Sequence, residues 1–71
     1  MSQIRRIRIA VLRITQAELA AIAGVKQATV SRWEQGIHQP SLHHLARIRE
    51  EAKRRRLKWD DRWFFSQDEA A

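Results

Sequence analysis

The stretch "TQAELAAIAGVKQATVSRWEQG", residues 15–36, holds two short helical patterns hinged at one glycine. The first opens on a capping box: the Thr15 hydroxyl can accept from the Glu18 N–H while the Glu18 carboxylate reaches back to the N–H of Thr15. Leu19, Ala20 and Ala23 then share one face. Gly24 ends the pattern, as a left-handed position after a helix requires, because a β-carbon would be penalised there. A second helix is expected from about Gln27 to Gln35, with Val25, Val30 and Trp33 turned inward and Gly36 closing it as Gly24 closes the first. Gln27, Ala28, Ser31 and Arg32 are left facing out, so the best-specified helix has a polar outer face that needs a reason.

Upstream, Ile4, Ile7, Val11 and Ile14 recur at spacings of three, four and three, which predicts a helix from about residue 3 to 12. The alternation of Ile7, Ile9 and Val11 keeps a strand open as the competing reading. Downstream, Pro40 breaks the chain and Ser41 is placed to cap a fourth helix, with Leu42, Leu45, Ile48 and Ala52 as its inward stripe. That helix fades into the run Lys53-Arg54-Arg55-Arg56, whose cations suit the negative end of the helix dipole. No internal repeat interrupts this order. The pattern is all-α, with short connections and one shared core.

At 71 residues the chain is one domain near the lower limit for independent folding. It has no cysteine, so neither disulfides nor cysteine-ligated zinc are expected. No apolar run approaches the roughly 20 residues that span a bilayer, and Arg8 and Arg13 spoil the N-terminus as a signal peptide. A soluble, cytoplasmic protein is the default expectation. Net charge is +6, unevenly spread: residues 1–58 carry thirteen Lys/Arg against four Asp/Glu, and residues 59–71 carry one against four. A basic body attracts polyanions, either nucleic acid or an anionic membrane surface.

Two helices joined at a glycine, the second with a polar outward face, match the helix-turn-helix DNA-binding unit. Small Ala20 lets the helices cross closely, Gly24 makes the turn, and Val25, Val30 and Trp33 anchor the outer helix. The chain resembles the phage-repressor and Cro-like helix-turn-helix family over about residues 4–52. The matching residues are Thr15-Gln16, Leu19-Ala20, Gly24-Val25, Val30-Ser31, Trp33-Glu34, Gly36 and Pro40-Ser41, then Leu45 and Ile48.

The resemblance implies that Gln27, Ala28 and Arg32 meet base edges in the major groove, and that Gln16 bonds a phosphate while bracing the recognition helix. Side-chain chemistry agrees for two of these: Gln can bond adenine N6 and N7 together, and Arg can bond guanine O6 and N7. Ala28 could touch only a thymine methyl. Ser31 shares the face but is short, so a phosphate suits it as well as a base. Lys26 departs from the family pattern, and a phosphate near it would offset its poor fit to a helix N-terminus. Gln35 and His38 are further expected phosphate contacts. The resemblance also implies that Glu34 pairs with an arginine of the first helix, where Arg8 fits if one extra residue is allowed.

Other constellations carry less. His43 and His44 are adjacent and would diverge on a helix, so with His38 they make no metal site; no metal and no cofactor are expected. Asp60 and Asp61 are neighbours at an expected helix start, where carboxylates serve as caps. No nucleophile–base pair or glycine-rich phosphate loop is present, which argues against an enzyme. The basic run 53–56 reads equally as a phosphate clamp or a solvated helix end.

"LKWDDRWFF", residues 57–65, lies beyond the part the family explains. If Asp60 caps a short fifth helix, Trp63 and Phe64 lie along one side with Trp59 packing just before it. The segment could cover the core, or Trp59, Trp63 and Phe64 could form a dimer interface, where such residues are enriched.

These readings predict a compact four- to five-helix bundle of the lambda-repressor-like helix-turn-helix type, with a DNA-binding domain at 1–56 and an aromatic, then acidic, segment at 57–71. The expected function is a sequence-specific regulator of double-stranded DNA, bacterial or phage-encoded. It would most simply be a homodimeric repressor on an inverted-repeat operator, since so short a chain leaves no room for a ligand-sensing domain. The alternative is an antitoxin-type or phage-accessory DNA-binding protein whose aromatic segment binds a protein partner.

Overall fold

Ser2 starts the first helix by accepting the Arg5 N–H on its hydroxyl at 3.1 Å in the computed structural model, which describes residues 2–63. Helix α1, Gln3–Arg6, passes directly into a π-helical segment, Ile7–Leu12, so the strand reading of this region falls. In π geometry each N–H bonds the carbonyl five residues back, and the turn takes up an extra residue. Leu12 therefore lands over Ile7. Ile4, Ile7 and Leu12 are buried, whereas Val11 and Ile14, expected inward from regular helical spacing, are only half-buried against the core. Arg13 ends the segment with a left-handed φ of 56°.

Helix α2, Gln16–Ala23, begins with the full capping box: Thr15 Oγ1 accepts from Glu18 N at 3.0 Å, and the Glu18 carboxylate accepts from Thr15 N at 2.8 Å. Leu19, Ala20 and Ala23 are buried as their spacing predicts. Gly24 adopts φ 79° and donates its N–H to Ala20 O. Helix α3, Gln27–Gln35, follows within three residues, burying Val30 and Trp33 before Gly36 closes it at φ 80°.

Ser41 caps α4, Leu42–Arg54, in a second capping box whose other half is His44: its Nδ1 accepts the Ser41 N–H at 3.2 Å. Leu45, Ile48 and Ala52 are buried, but Leu42, expected to join them, is 67% exposed. It sits in the first turn, about 90° around the helix from the mean direction of the other three. After α4, Leu57 N–H bonds back to Ala52 O, and the described residues end in one 3₁₀ turn, Asp61–Trp63, at the start of the expected fifth helix, whose later residues lie outside those described. Asp60 does cap it, accepting the Arg62 N–H at 2.9 Å.

The regular elements of the described residues are all helices, with no strand. Their core is drawn from α1, the π segment and α2 to α4, and it contains no buried polar residue. Leu57, Trp59 and Trp63 pack against it from the edge, the two indoles meeting edge to face at 5.2 Å.

Candidate nucleic-acid interface

Burial of Val30 and Trp33 fixes the roll of α3. At 3.6 residues per turn, Gln27, Ala28, Ser31, Arg32 and Gln35 then share the opposite face. Gln27, Ala28, Arg32 and Gln35 are exposed and Ser31 is half-buried. Lys26 stands at the N-cap in extended conformation and makes no side-chain cap bond. The first N–H groups of α3 thus open outward beside an exposed ammonium, an arrangement that suits an anion.

One half-buried carboxylate ties this helix to two others. Glu34 receives Arg8 in bidentate fashion, Nε to Oε2 at 2.6 Å and Nη2 to Oε1 at 3.1 Å. Gln16 Nε2, from the first turn of α2, donates to the same Oε1 at 3.1 Å, and Gln16 Oε1 accepts from Gln27 Nε2 at 3.5 Å. A chain of contacts therefore runs Arg8–Glu34–Gln16–Gln27, from the first helix to the start of α3. Burial alone would raise the Glu34 carboxyl, but the hydrogen bonds from Arg8 and Gln16 and the charges of Arg8 and Arg5 hold it below the usual carboxylate range.

The Arg8–Glu34 pairing is the one that the extra residue allowed. The π segment, Ile7–Leu12, has the geometry to take up one such residue ahead of the capping box at Thr15.

A comparison with protein-family models matches residues 4–55 to a helix-turn-helix model. The chain belongs to the phage-repressor and Cro-like helix-turn-helix family. That family is one of DNA-binding regulators. Comparisons with curated proteins and with solved structures give no match.

The remaining candidates of this helix-turn-helix protein fall as follows. Ser31 Oγ accepts from Gln35 Nε2 at 2.8 Å, so these two side chains form one unit on the outer face of α3. His38 is exposed in the loop beyond Gly36. In the basic run, Arg54 and Arg55 both engage Glu51, whose carboxyl is held down to about 2 by those hydrogen bonds. Trp59 and Trp63 are half-buried on the core, and Phe64 lies outside the described residues. Among the described residues no helix is long and apolar enough to cross a membrane, and no three metal-binding side chains cluster.

Two supporting residues were not legible beforehand. Arg47 of α4 donates from Nε to the Ile22 carbonyl at 3.0 Å, satisfying the end of α2 at the turn. Its spacing gives no cue, since any exposed arginine reads alike in sequence. His44 closes the second capping box, with its ring 5.1 Å from that of Trp33. A Ser followed three residues on by Glu or Gln would have signalled it; histidine does not.

Proposed function

We propose that this protein is a sequence-specific regulator that lays α3 in the major groove, with Gln27, Ala28, Ser31 and Arg32 toward base edges and Gln16, Lys26, Gln35 and His38 toward phosphates. It acts as a homodimeric repressor, two copies reading half-sites of an inverted repeat about 34 Å apart. The observation that carries the reading is the braced outer face of α3. A part-buried Arg8–Glu34–Gln16 bridge serves a helix whose opposite side has no packing partner among the described residues. An excess of cations in residues 1–58 supports a polyanionic target.

The purified chain, selected against a random duplex library at near-physiological salt, should enrich an inverted repeat with half-sites about ten base pairs apart. Arg32→Ala should then relax preference at one position per half-site, a loss of about 1–3 kcal/mol of discrimination. Lys26→Ala should weaken binding to all sequences and flatten the salt dependence by about one unit. Motif-free, salt-labile binding would move the specificity to a complex with a protein partner. Parent-like binding by both variants would place the reading face elsewhere.

A further inference from the structure

Arg5 stands apart from the other paired arginines. Its Nε lies 3.9 Å from Glu34 Oε1, beyond hydrogen-bonding distance, and its side chain is 48% exposed. Arg8, by contrast, has all three guanidinium nitrogens engaged: two on Glu34, and Nη1 on the Ile14 carbonyl at 3.0 Å. Arg8 alone therefore matches the charge of Glu34. One carboxylate faces two guanidiniums, and the second remains a net cation at the surface.

The position of that cation follows from the oxygen it faces. Glu34 Oε1 also accepts Gln16 Nε2 at 3.1 Å, so Arg5 and the Gln16 amide converge on one atom. Gln16 in turn accepts from Gln27, the first residue of α3. The open guanidinium of α1 thus stands beside the residue that links α2 to the start of the outer helix. Arg6, one position on and about 100° around the helix, donates to Gln3 instead, at 3.4 Å.

We propose that Arg5 is a DNA-backbone contact, donating to a phosphate beside Gln16 and outside the bases that α3 reads. The proposal rests on the DNA-reading role of α3 given above and extends the interface to the first helix. A planar guanidinium with its donors free can take a phosphate in bidentate fashion. Such a contact fixes register and adds affinity without adding sequence information. The competing role is structural, as a second partner for Glu34. A half-exposed pair without a hydrogen bond adds little to stability, which separates the two roles.

Arg5→Gln, Arg5→Lys and Arg6→Gln variants of the full chain would be titrated by fluorescence anisotropy over a salt series. Glutamine keeps the helix propensity of arginine and removes only the cation. The probes are the selected operator and an unrelated duplex, with melting curves for each variant. Arg5→Gln should flatten the log K against log salt line by about 0.9 on both duplexes. Its operator preference and melting point should stay as in the parent. Arg5→Lys should keep the parent slope, and Arg6→Gln should flatten it markedly less than Arg5→Gln does. A folded Arg5→Gln variant with the parent slope overturns the contact. Equal flattening by Arg6→Gln also overturns it, because net charge and not position would then be responsible. An Arg5→Gln chain that melts far below the parent assigns Arg5 to Glu34 and overturns it as well. In each case, if Arg32→Ala still alters base preference, the reading of α3 stands without Arg5. A parent chain that binds no duplex overturns both.

Discussion

Glu34 has a side chain only 5% exposed, and it is shared by Arg8 and Gln16 from two other elements. Its charge is tolerable only because those donors are in place. Its carboxyl lies below the ordinary value of 4.5 in the folded chain, so the sign of its pH dependence is set. Stability from this group is complete above about pH 4.5 and is lost as pH falls through the lower folded value. Glu34→Gln should cost roughly 3 kcal/mol at pH 7, since it leaves a part-buried guanidinium without its carboxylate. In urea titrations the gap between variant and parent should narrow below pH 4.5, as the parent carboxylate protonates. Glu51 and Asp60, both held down to about 2 by arginine hydrogen bonds, should go on destabilising both proteins toward pH 2. A gap that stays constant with pH would show that the bridge acts through packing and not through charge. The pairing of Arg8 with Glu34 was open to sequence reasoning because Glu34 matches a family pattern and Arg8 fits it once one extra residue is allowed. The bond from Gln16 to Gln27 was not, because two amides eleven residues apart carry no spacing signal.

Element boundaries in residues 15–36 were legible because each end is set locally: the Thr15 capping box, then Gly24, then Gly36. The first helix was legible in extent and not in kind. Ile4, Ile7, Val11 and Ile14 fit regular helical spacing, but the residue buried above Ile7 is Leu12, five positions on. Only contacts with the rest of the core decide between those two faces, and a sequence window does not contain them. The same limit explains Leu42, whose apolar character suited the inward stripe while its angular position did not. The π segment yields a test of its own. Deleting exposed Ala10 brings Leu12 to four positions after Ile7, which regular α-helix places on one face. Arg8 and the Thr15 box both survive the deletion. The shortened chain should fold, keep its DNA affinity within about tenfold, and melt no lower than the parent, because regular helix replaces a rare π turn. A melting point well below the parent's would mean that the extra residue is required for Arg8 to reach Glu34.

At the scale of the whole molecule, the described core is small and closed at its edge by Leu57, Trp59 and Trp63. A domain of this size is stable by only a few kcal/mol, so two half-buried indoles are a large share of what holds it. Phe64 and Phe65 follow directly in sequence, and a dimer built on this segment would use the outer sides of the same indoles. The core-covering and dimerising roles are therefore compatible, and Trp63→Ala measures both at once. Losing a half-buried tryptophan should lower stability by about 2 kcal/mol, below the roughly 3–5 kcal/mol that truncating a core tryptophan costs. Sedimentation of the folded variant should shift from dimer toward monomer, and half-site affinity should persist while operator affinity falls. Because two linked half-sites multiply each other's occupancy, the operator should lose far more affinity than a single half-site does. A variant that loses stability but stays dimeric would leave Trp63 as a cover for the core alone. The two-fold contact would then have to come from another surface, and exposed Ile37 and Leu42 beyond α3 would be the next residues to change.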